Sequence, residues 1–513
     1  MAEKKKFQAI KGTRDLLPPD TELWNRVEQT AREVFGTFGF GEIRPPIFEP
    51  TELFARAVGG ETDIVSKEMY TFVDRDEEVL ASPIISEFGD RIKKLEELLQ
   101  NGRIAQTFGN QRSLVTLKRA WAKFMSSFQA GVRVDMDAVI EMVISYRAMD
   151  LGTQLSLRPE ATASVCRAYI EHGMHALPQP VKLYYMGPMF RRERPQKGRY
   201  RQFYQIGAEV LEMVPPNQDP AKNIGKDAAV DAEVIEMVMA FFARLGLEGV
   251  KLEINSIGDR ECRPKYVELL RAELMKVKDK LGPDSQRRIE TNPLRVLDSK
   301  VESEQGIIAG LPKIADHLCA NCAEQYTEVK RQLGMRGVAY AENWRLVRGL
   351  DYYMRTTFEI TARGLGSQNA VCGGGRYDGL VELLGGPPTK GIGFAIGEDR
   401  LILSLQEAGK GGAAQGRDVF VAWMGEKAQA TAIVAAQKLR AAGFRVELPP
   451  VEQKFGKALG QADKLGTRYA LILGDDEIAT GQWMVKTLAD SSQTKMSEAQ
   501  FLGMLAKSKT LSS

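Results

Sequence analysis

The pattern of the sequence changes at a glycine-rich segment, GKGGAAQG, which covers residues 409–416. Such segments behave as flexible linkers, so we place a domain boundary here. Beyond it the strand-like runs VFVAW, FRVEL and YALIL alternate with helical stretches near 426–442 and 453–465, and a hairpin at 476–487 and a last helix follow. This alternation predicts a small α/β domain over residues 417–513.

Residues 1–408 mix strand-like and helical segments without regular βαβ alternation. That texture predicts an α+β domain built on an antiparallel sheet, and 513 residues are enough for both domains. Residues 83–150 carry apolar side chains at helical spacing between two strand-like segments. We therefore predict a helical insertion at a hairpin tip, where the cost of loop closure grows slowly with length. Residues 260–335 are also predicted to be a mostly helical insertion.

Composition excludes some classes of protein without selecting a partner. The net charge is only +3, so binding to a polyanion has to be argued from local patches. The chain contains three histidines, which disfavours a mechanism built on a histidine base. No run approaches the roughly 18 apolar residues of a membrane span, and no apolar segment follows the N-terminal lysines, so we expect a cytoplasmic protein with no membrane partner.

One cysteine motif could bind a metal ion. His317, Cys319 and Cys322 form H-x-C-x-x-C, and Cys262 is a conceivable fourth ligand. Structural zinc sites usually combine two paired clusters of ligands, and only one pair is visible in the sequence. We therefore predict no metal-binding residues.

The segment FRRERPQKGRYR at 190–201 is the strongest chemical signal in the sequence. It contains five arginines and Lys197 against a single acid, Glu193. Guanidinium groups suit phosphate oxygens better than ammonium groups do, because they bind them in a bidentate manner. On charge alone, the alternative is a solvated surface loop.

Two further arginines, Arg348 and Arg400, lie in the glycine-bearing phrases LVRGLDYYMRTTFEI and GIGFAIGEDRLIL. The patterns GxxxxGK[ST] and GxSxG are absent from the sequence, and no GxGxxG follows a strand. Arginines from distant segments, without a nucleophile or base, favour phosphoryl or nucleotidyl transfer, in which positioning and charge stabilisation do most of the catalysis. A substrate carboxylate could then attack the α-phosphate without an enzyme nucleophile.

These phrases, in their order along the chain, resemble the motifs of class II aminoacyl-tRNA synthetases and of the histidyl enzymes in particular. The helix at 22–38 with the strand ending at Arg44-Pro45-Pro46 resembles motif 1, residues 187–203 resemble motif 2, and residues 391–403 resemble motif 3. LVRGLDYY (346–353) and GGGRYDGL (373–380) resemble two phrases peculiar to the histidyl enzymes. The resemblance covers nearly the whole chain except the 83–150 insertion. It implies a class II catalytic domain and a C-terminal anticodon-binding domain.

The resemblance also implies roles for individual residues. Those implied to bind ATP are Arg191, Glu193, Arg199 and Arg400. Those implied to bind histidine are Glu160, Thr162, Gln205, Glu209, Tyr353 and Tyr377. Arg191 and Arg348 are the implied catalytic residues, and Gln196 and Arg199 are implied to approach the acceptor end of the tRNA. The expected activity is histidine–tRNA ligation, with ATP as substrate, Mg²⁺, and a homodimeric enzyme.

Two other functions fit parts of the same resemblance. A regulatory paralogue of ATP phosphoribosyltransferase shares the catalytic-domain fold, but such paralogues lack the C-terminal domain and usually lose the phrase around Arg348. A pseudo-synthetase that senses tRNA would tolerate loss of the ATP-binding arginines, which are intact here.

The sequence departs from the family pattern at Ala161, which stands in LRPEATA where the family usually has glycine. This departure puts the backbone conformation beside the histidine pocket in question.

Overall fold

The computed structural model describes residues 7–60, 62–75, 88–100, 108–130, 135–147, 152–215, 223–362, 369–411 and 416–510. Both ends of the predicted 83–150 insertion and the centre of the 409–416 linker lie outside these described residues. The chain divides into two compact units, Met1–Leu16 with Trp24–Gly411 and Leu17–Leu23 with Gly412–Ser513.

The strands of the first unit are β1 (Gly41–Glu42), β2 (Phe48–Pro50), β3 (Tyr70–Arg75), β4 (Gly152–Leu157), β5 (Val181–Phe190), β6 (Gln202–Met213), β7 (Lys251–Ser256), β8 (Ala341–Glu342), β9 (Met354–Thr361), β10 (Ala370–Arg376) and β11 (Thr389–Gly397). Eight of them form one sheet in the order β1-β5-β6-β11-β10-β9-β7-β8. Its pairings are antiparallel except at the edges, where β1 with β5 and β7 with β8 are parallel. The predicted α+β class with an antiparallel sheet is confirmed.

The α-helices before residue 411 are α1 (Asp20–Thr37), α2 (Thr51–Val58), α3 (Phe88–Gln100), α4 (Phe108–Gln129), α5 (Met136–Arg147), α6 (Thr162–Glu171), α7 (Ile224–Arg244), α8 (Cys262–Lys276), α9 (Pro283–Thr291), α10 (Glu302–Ala309), α11 (Ala320–Met335), α12 (Leu380–Leu383) and α13 (Glu398–Glu407). Of these, α3, α4 and α5 follow β3 and precede β4, and they pack around a separate apolar cluster that includes Leu95, Leu117 and Phe124. Strands β3 and β4 pair antiparallel from Tyr70 opposite Leu157 to Arg75 opposite Gly152.

Side-chain alternation along the central strands separates a helix-covered face from an open one. The Phe35 ring of α1 lies 5.7 Å from the Tyr184 ring on β5 and 5.9 Å from the Phe394 ring on β11, measured between centroids. Successive side chains of a strand point to opposite faces, and Ala208 of β6 pairs with both Tyr184 and Phe394. Gln205 and Glu209 of β6 therefore project to the other face of the sheet, which carries the candidate site.

The second unit is a smaller α/β fold. Its strands are β12 (Val419–Trp423), β13 (Val446–Glu447), β14 (Tyr469–Leu473), β15 (Trp483–Thr487) and β16 (Gln493–Met496), and its helices are α14 (Glu426–Ala441), α15 (Phe455–Lys464), α16 (Asp475–Thr480) and α17 (Glu498–Thr510). The sheet order is β13-β12-β14-β15-β16, with β12 parallel to both of its neighbours. Strand β12 is buried along its whole length, as expected for a parallel strand covered on both faces. The predicted α/β class is confirmed.

The hairpin predicted at 476–487 is wrong in its position. Asp475–Thr480 form α16 instead, and three acidic side chains in its first turn stabilise the positive end of the helix dipole. The hairpin consists of β15 and β16, and its turn contains Ser491 with φ +59°. The Asp490 carboxylate accepts hydrogen bonds from the backbone N–H of Ser492 at 2.9 Å and from the Ser492 hydroxyl at 2.7 Å, and these bonds fix the turn.

Every helix in the described part of the chain is too short or too polar to cross a lipid bilayer.

Candidate active site

A cavity of about 300 Å³ opens on the exposed face of the eight-stranded sheet. Its walls come from the starts of α6 and α13, the segment after β5, the loop before β9, and strands β6, β10 and β11. The sequence-predicted residues that line it are Glu160, Thr162, Arg191, Glu193, Arg199, Gln205, Arg348, Tyr353 and Arg400. Segments more than 200 residues apart in the chain thus meet at one site.

Two arginines of the 190–201 segment are held by specific contacts. Arg191 Nε donates to the carbonyl of Pro159 at 2.9 Å, and its guanidinium lies 5.3 Å from the centroid of the Phe203 ring. Arg199 Nη1 lies 3.0 Å from Glu193 Oε2. Positioning of this kind reduces the conformational entropy that the side chains lose when a ligand binds.

Arg348 reaches the cavity from the loop before β9. Its Nη1 lies 3.2 Å from Glu359 Oε2, and its guanidinium covers Gly373 of β10. A Cβ at Gly373 would collide with the guanidinium, so only glycine leaves room for this approach. Among the residues that the structure describes, the buried Nε of Arg348 has no hydrogen-bond acceptor. A buried donor without a partner is costly, so a ligand oxygen at this point would be favourable.

Arg400 projects from the first turn of α13. Its Nη1 donates to the carbonyl of Ala370 at 3.0 Å, and its Nε lies 3.5 Å from the carbonyl of Gly198. Burial lowers the pKa of Arg400, and the nearby Arg199 guanidinium lowers it further. Both effects reflect positive charge concentrated in a partly desolvated site, which an anion would relieve.

Glu160 caps the N-terminus of α6. Its two carboxylate oxygens accept the backbone N–H groups of Thr162 at 2.8 Å and of Ala163 at 3.0 Å. The intervening Ala161 is fully buried and has φ −117° and ψ −12°, and a negative φ does not require glycine. Alanine in place of the usual glycine therefore imposes no backbone strain beside the pocket.

A buried carboxyl group lies behind the cavity wall. Glu209 is 1% exposed, and its two oxygens accept hydrogen bonds from Thr162 Oγ1 at 2.7 Å and from the Tyr377 hydroxyl. Burial raises the pKa of Glu209 to about 8, although these two hydroxyl donors lower it in part. The carboxyl is therefore largely protonated at neutral pH. Gly393, opposite Glu209 on β11, leaves the space that the carboxyl occupies.

Gln205 and Gln196 differ in their positions. Gln205 lines the cavity four residues before Glu209 on β6, and its buried Oε1 has no hydrogen-bond donor within the described ranges. Gln196 is not in the cavity lining. It lies in the loop of the 190–201 segment, where its backbone exchanges hydrogen bonds with that of Arg199 at 2.8 and 3.1 Å.

Sequence reasoning overlooked several residues of the cavity wall. Tyr185, Tyr352 and Glu359 line it together with the predicted residues. The Tyr352 hydroxyl lies 3.5 Å from Glu160 Oε2, and its ring centroid is 4.7 Å from that of Tyr353. The paired tyrosines at 184–185 and 352–353 were the available signal, but paired aromatic residues are also common in ordinary strands.

Comparison with known protein families is consistent with this geometry. Residues 146–390 match the tRNA synthetase class II core domain (G, H, P, S and T), and residues 418–508 match the Anticodon binding domain. The first match assigns the cavity-bearing domain to the class II tRNA synthetases.

Comparison with individual proteins identifies one family within this class. A histidine–tRNA ligase of Solibacter usitatus is 46% identical over 500 residues, covering 97% of this chain and 99% of the relative. Another, of Koribacter versatilis, is 46% identical over 494 residues, covering 96% and 95%. The crystal structure of apo histidyl-tRNA synthetase from S. aureus, 30% identical, matches with a TM-score of 0.67 and covers 97% of this chain and 99% of that one. The chain belongs to the histidine–tRNA ligase family.

Proposed function

We propose that this chain activates histidine with ATP and transfers the histidyl group to the 3′ end of its tRNA. The observation that carries the proposal is the convergence of Arg191, Arg348 and Arg400 in one cavity, beside the buried Glu209 and Tyr377. Three arginines fit a polyphosphate, and the carboxyl with its phenol fits a side chain that has two ring nitrogens.

The first step forms histidyl-adenylate. A carboxylate oxygen of histidine attacks the α-phosphorus of ATP, the bond from that phosphorus to the bridging oxygen breaks, and pyrophosphate leaves. Arg191 and Arg348 stabilise the negative charge that develops on the α-phosphate. Glu193 holds the adenine, Arg199 contributes to ATP binding, and Arg400 binds the γ-phosphate.

Histidine is held by two groups of side chains. Glu160, Thr162 and Gln205 bind the region of its ammonium and carboxylate, and the unpartnered Oε1 of Gln205 supports this assignment because it can accept an ammonium proton. Glu209, Tyr353 and Tyr377 read the imidazole. A polar pocket of this kind rejects side chains without ring nitrogens, because the buried polar groups would remain unpaired.

Mg²⁺ is proposed as the companion of ATP. Several carboxylates line the cavity, and Glu359, whose side chain is 28% exposed, would hold the ion together with the phosphates. When bound, Mg²⁺ neutralises part of the phosphate charge. Glu359 also orients the Arg348 guanidinium, so its loss would affect both groups.

In the second step, a ribose hydroxyl at the 3′ end of the tRNA attacks the acyl carbon of the adenylate, and AMP leaves. Gln196 and Arg199 approach the acceptor end. Arg199 is 40% exposed, which supports contact with a large partner. We assign the second unit to the anticodon arm of the tRNA, in agreement with its match to the Anticodon binding domain. The proposed activity belongs to the cytoplasm, where tRNA is charged.

A homodimer is part of the same proposal. The segment that resembles motif 1 leads into β2, and Ile47, just before this strand, and Phe48, its first residue, are 44% and 49% exposed. Phe72 of β3 is 43% exposed, and its ring centroid lies 6.3 Å from that of Phe48. Exposed apolar side chains in contact with one another are typical of protein interfaces. Sedimentation at micromolar concentration should give twice the chain mass, and a purely monomeric species would contradict the dimer.

The alternative functions are not favoured. The C-terminal domain and the Arg348 phrase are both present, unlike in regulatory paralogues of ATP phosphoribosyltransferase. The arginines that a tRNA sensor could lose are retained and gathered in one cavity.

Charging of tRNA with labelled histidine tests the complete reaction. We expect ATP-dependent transfer of label from histidine to tRNA. Equal charging when another labelled amino acid replaces histidine would contradict the assigned histidine pocket.

A further inference from the structure

Four potential metal ligands meet at the starts of α8 and α11. The ligand atoms of Asp259, Cys262, Cys319 and Cys322 all lie within 4.8 Å of one another. We call these four residues the aspartate–cysteine cluster. His317, the histidine of the H-x-C-x-x-C motif, lies outside it and packs against Tyr266 with ring centroids 6.0 Å apart.

The cluster is built from two matched pairs. Asp259-x-x-Cys262 leads into α8 and Cys319-x-x-Cys322 leads into α11, so each pair has the same spacing at the start of a helix. This is the pattern of two paired ligand groups that structural zinc sites use. This pattern is not recognisable in the sequence, because an aspartate occupies the position at which a cysteine would complete the first pair.

The distances suit a tetrahedral ion. Ligand atoms bound to Zn²⁺ at about 2.3 Å lie about 3.8 Å from one another. Cys319 Sγ is 3.8 Å from both carboxylate oxygens of Asp259, and Cys262 Sγ is 3.5 Å from Asp259 Oδ1. All three cysteines are free thiols, and Cys262 and Cys322 are buried. Thiolate sulfur selects zinc over harder divalent ions.

The surrounding backbone is shaped around the cluster. Gly258 has φ +69°, and a Cβ at this position would come within 2.8 Å of Cys262 Sγ. The carbonyl of Gly258 accepts the backbone N–H of Arg355 at 2.7 Å, which holds Arg355 over the cluster. Arg355 Nη2 lies 3.4 Å from Asp259 Oδ2. Three thiolates and one carboxylate around Zn²⁺ carry a charge of about −2, and Arg355 and the two helix N-termini offset part of it.

We propose that the aspartate–cysteine cluster binds one Zn²⁺ ion as a structural site. Binding replaces the thiol protons with the metal, so three protons are released as the site is filled. The site joins the start of α8 to the start of α11. Arg263, next to Cys262, donates to the carbonyl of Tyr353, so the ion also steadies the backbone of the proposed imidazole-reading tyrosine.

Metal analysis of the full-length chain, purified in reductant without chelator, tests the proposal. We expect about one zinc per chain, and less than about a tenth of an equivalent in a Cys319→Ser/Cys322→Ser double variant. Cys166→Ser is the matched control, because Cys166 is a buried free thiol outside the cluster, and it should retain the full zinc content. Asp259→Cys should also retain zinc and lose it more slowly to a chelator, since thiolate is the better zinc ligand.

A second measurement on the wild-type chain does not depend on how the variants fold. After removal of zinc, addition of Co²⁺ should produce thiolate-to-metal charge-transfer bands and the strong visible absorption of a tetrahedral ion. Failure of the reduced wild-type chain to take up either ion would overturn the proposal. Zinc retained in full by the double variant would overturn it as well, because the ion would then be held elsewhere.

Discussion

Arg348 Nη1 lies 3.2 Å from Glu359 Oε2, and the Arg348 guanidinium covers the backbone of Gly373. This arrangement holds a cation at the cavity wall while its buried Nε has no acceptor within the described structure. We expect Arg348→Ala to lower the rate of histidine activation at least about a hundredfold, the scale for loss of one charge-stabilising donor. Single-turnover formation of the adenylate measures this rate, and a near-normal value would remove Arg348 from the mechanism.

Two variants control for a general loss of folding. Arg345→Ala removes an arginine of the same loop that donates outside the cavity, to the Leu297 carbonyl and to Gln305, and it should leave the activation rate within about threefold. Gly373→Ala leaves Arg348 in the sequence but displaces its guanidinium. It should reproduce most of the Arg348→Ala defect.

Burial of Glu209 makes the free energy of unfolding depend on pH. The unfolded chain ionises this carboxyl near its ordinary pKa of 4.5, whereas in the folded state burial raises the pKa to about 8. The folded state therefore binds the extra proton between these values, and the free energy of unfolding falls as pH rises from about 4.5 to 8. Glu209→Gln keeps the shape and removes the ionisation, so it should be more stable than wild type at pH 8 by on the order of 4 kcal/mol, and by less than about 1 kcal/mol at pH 5.

Urea unfolding of both proteins at the two pH values measures this effect. A stability difference that does not change with pH would show that Glu209 is not protonated in the folded chain. The same variant should raise KM for histidine, because the amide replaces the proposed imidazole-reading carboxyl.

Alanine in place of the usual glycine at position 161 is expected to leave catalysis unchanged. Its φ of −117° requires no glycine, and it is absent from the residues that line the described cavity. Ala161→Gly should change KM for histidine by less than about twofold while lowering the free energy of unfolding by about 1 kcal/mol, through loss of a buried methyl at the start of α6. A large change in KM with unchanged stability would mean that the methyl group shapes the pocket.

Contact between Arg199 and tRNA should appear as a salt effect. Binding that neutralises phosphates weakens as salt concentration rises, because counterions are released. Arg199→Ala should reduce the slope of log affinity against log salt by about 1. Arg331→Ala removes a similarly exposed arginine that is paired with Glu328 on α11, and it should leave the slope unchanged. Equal slopes for the wild type, Arg199→Ala and Arg331→Ala would argue against contact between Arg199 and tRNA phosphates.

Features that depend on local pattern could be predicted from the sequence. The switch to alternating strands and helices beyond residue 416 revealed the α/β domain, and charge density drew attention to the 190–201 segment. The convergence of Arg348 and Arg400 on that segment is a long-range property, so the residues alone suggested it only through the shared chemistry of arginine and phosphate.

Other features depend on the environment that folding creates. Glu209 looks like an ordinary acid in the sequence, and its raised pKa arises mainly from burial, with a smaller contribution from the nearby Glu160 carboxylate. Asp259 carries no metal signature by itself, since its ligand role requires the starts of α8 and α11 to meet. In the second unit, the hairpin was misplaced because the acidic start of α16 favours a helix at a point where the strand pattern had suggested pairing.

Amino-acid-dependent exchange of pyrophosphate into ATP is the direct test of histidine activation by this chain. It measures reversible adenylate formation in the cavity of Arg191, Arg348 and Arg400 and requires no tRNA. We expect exchange with histidine and none above background with any other amino acid. Absence of exchange with histidine, or exchange supported equally well by another amino acid, would contradict this expectation.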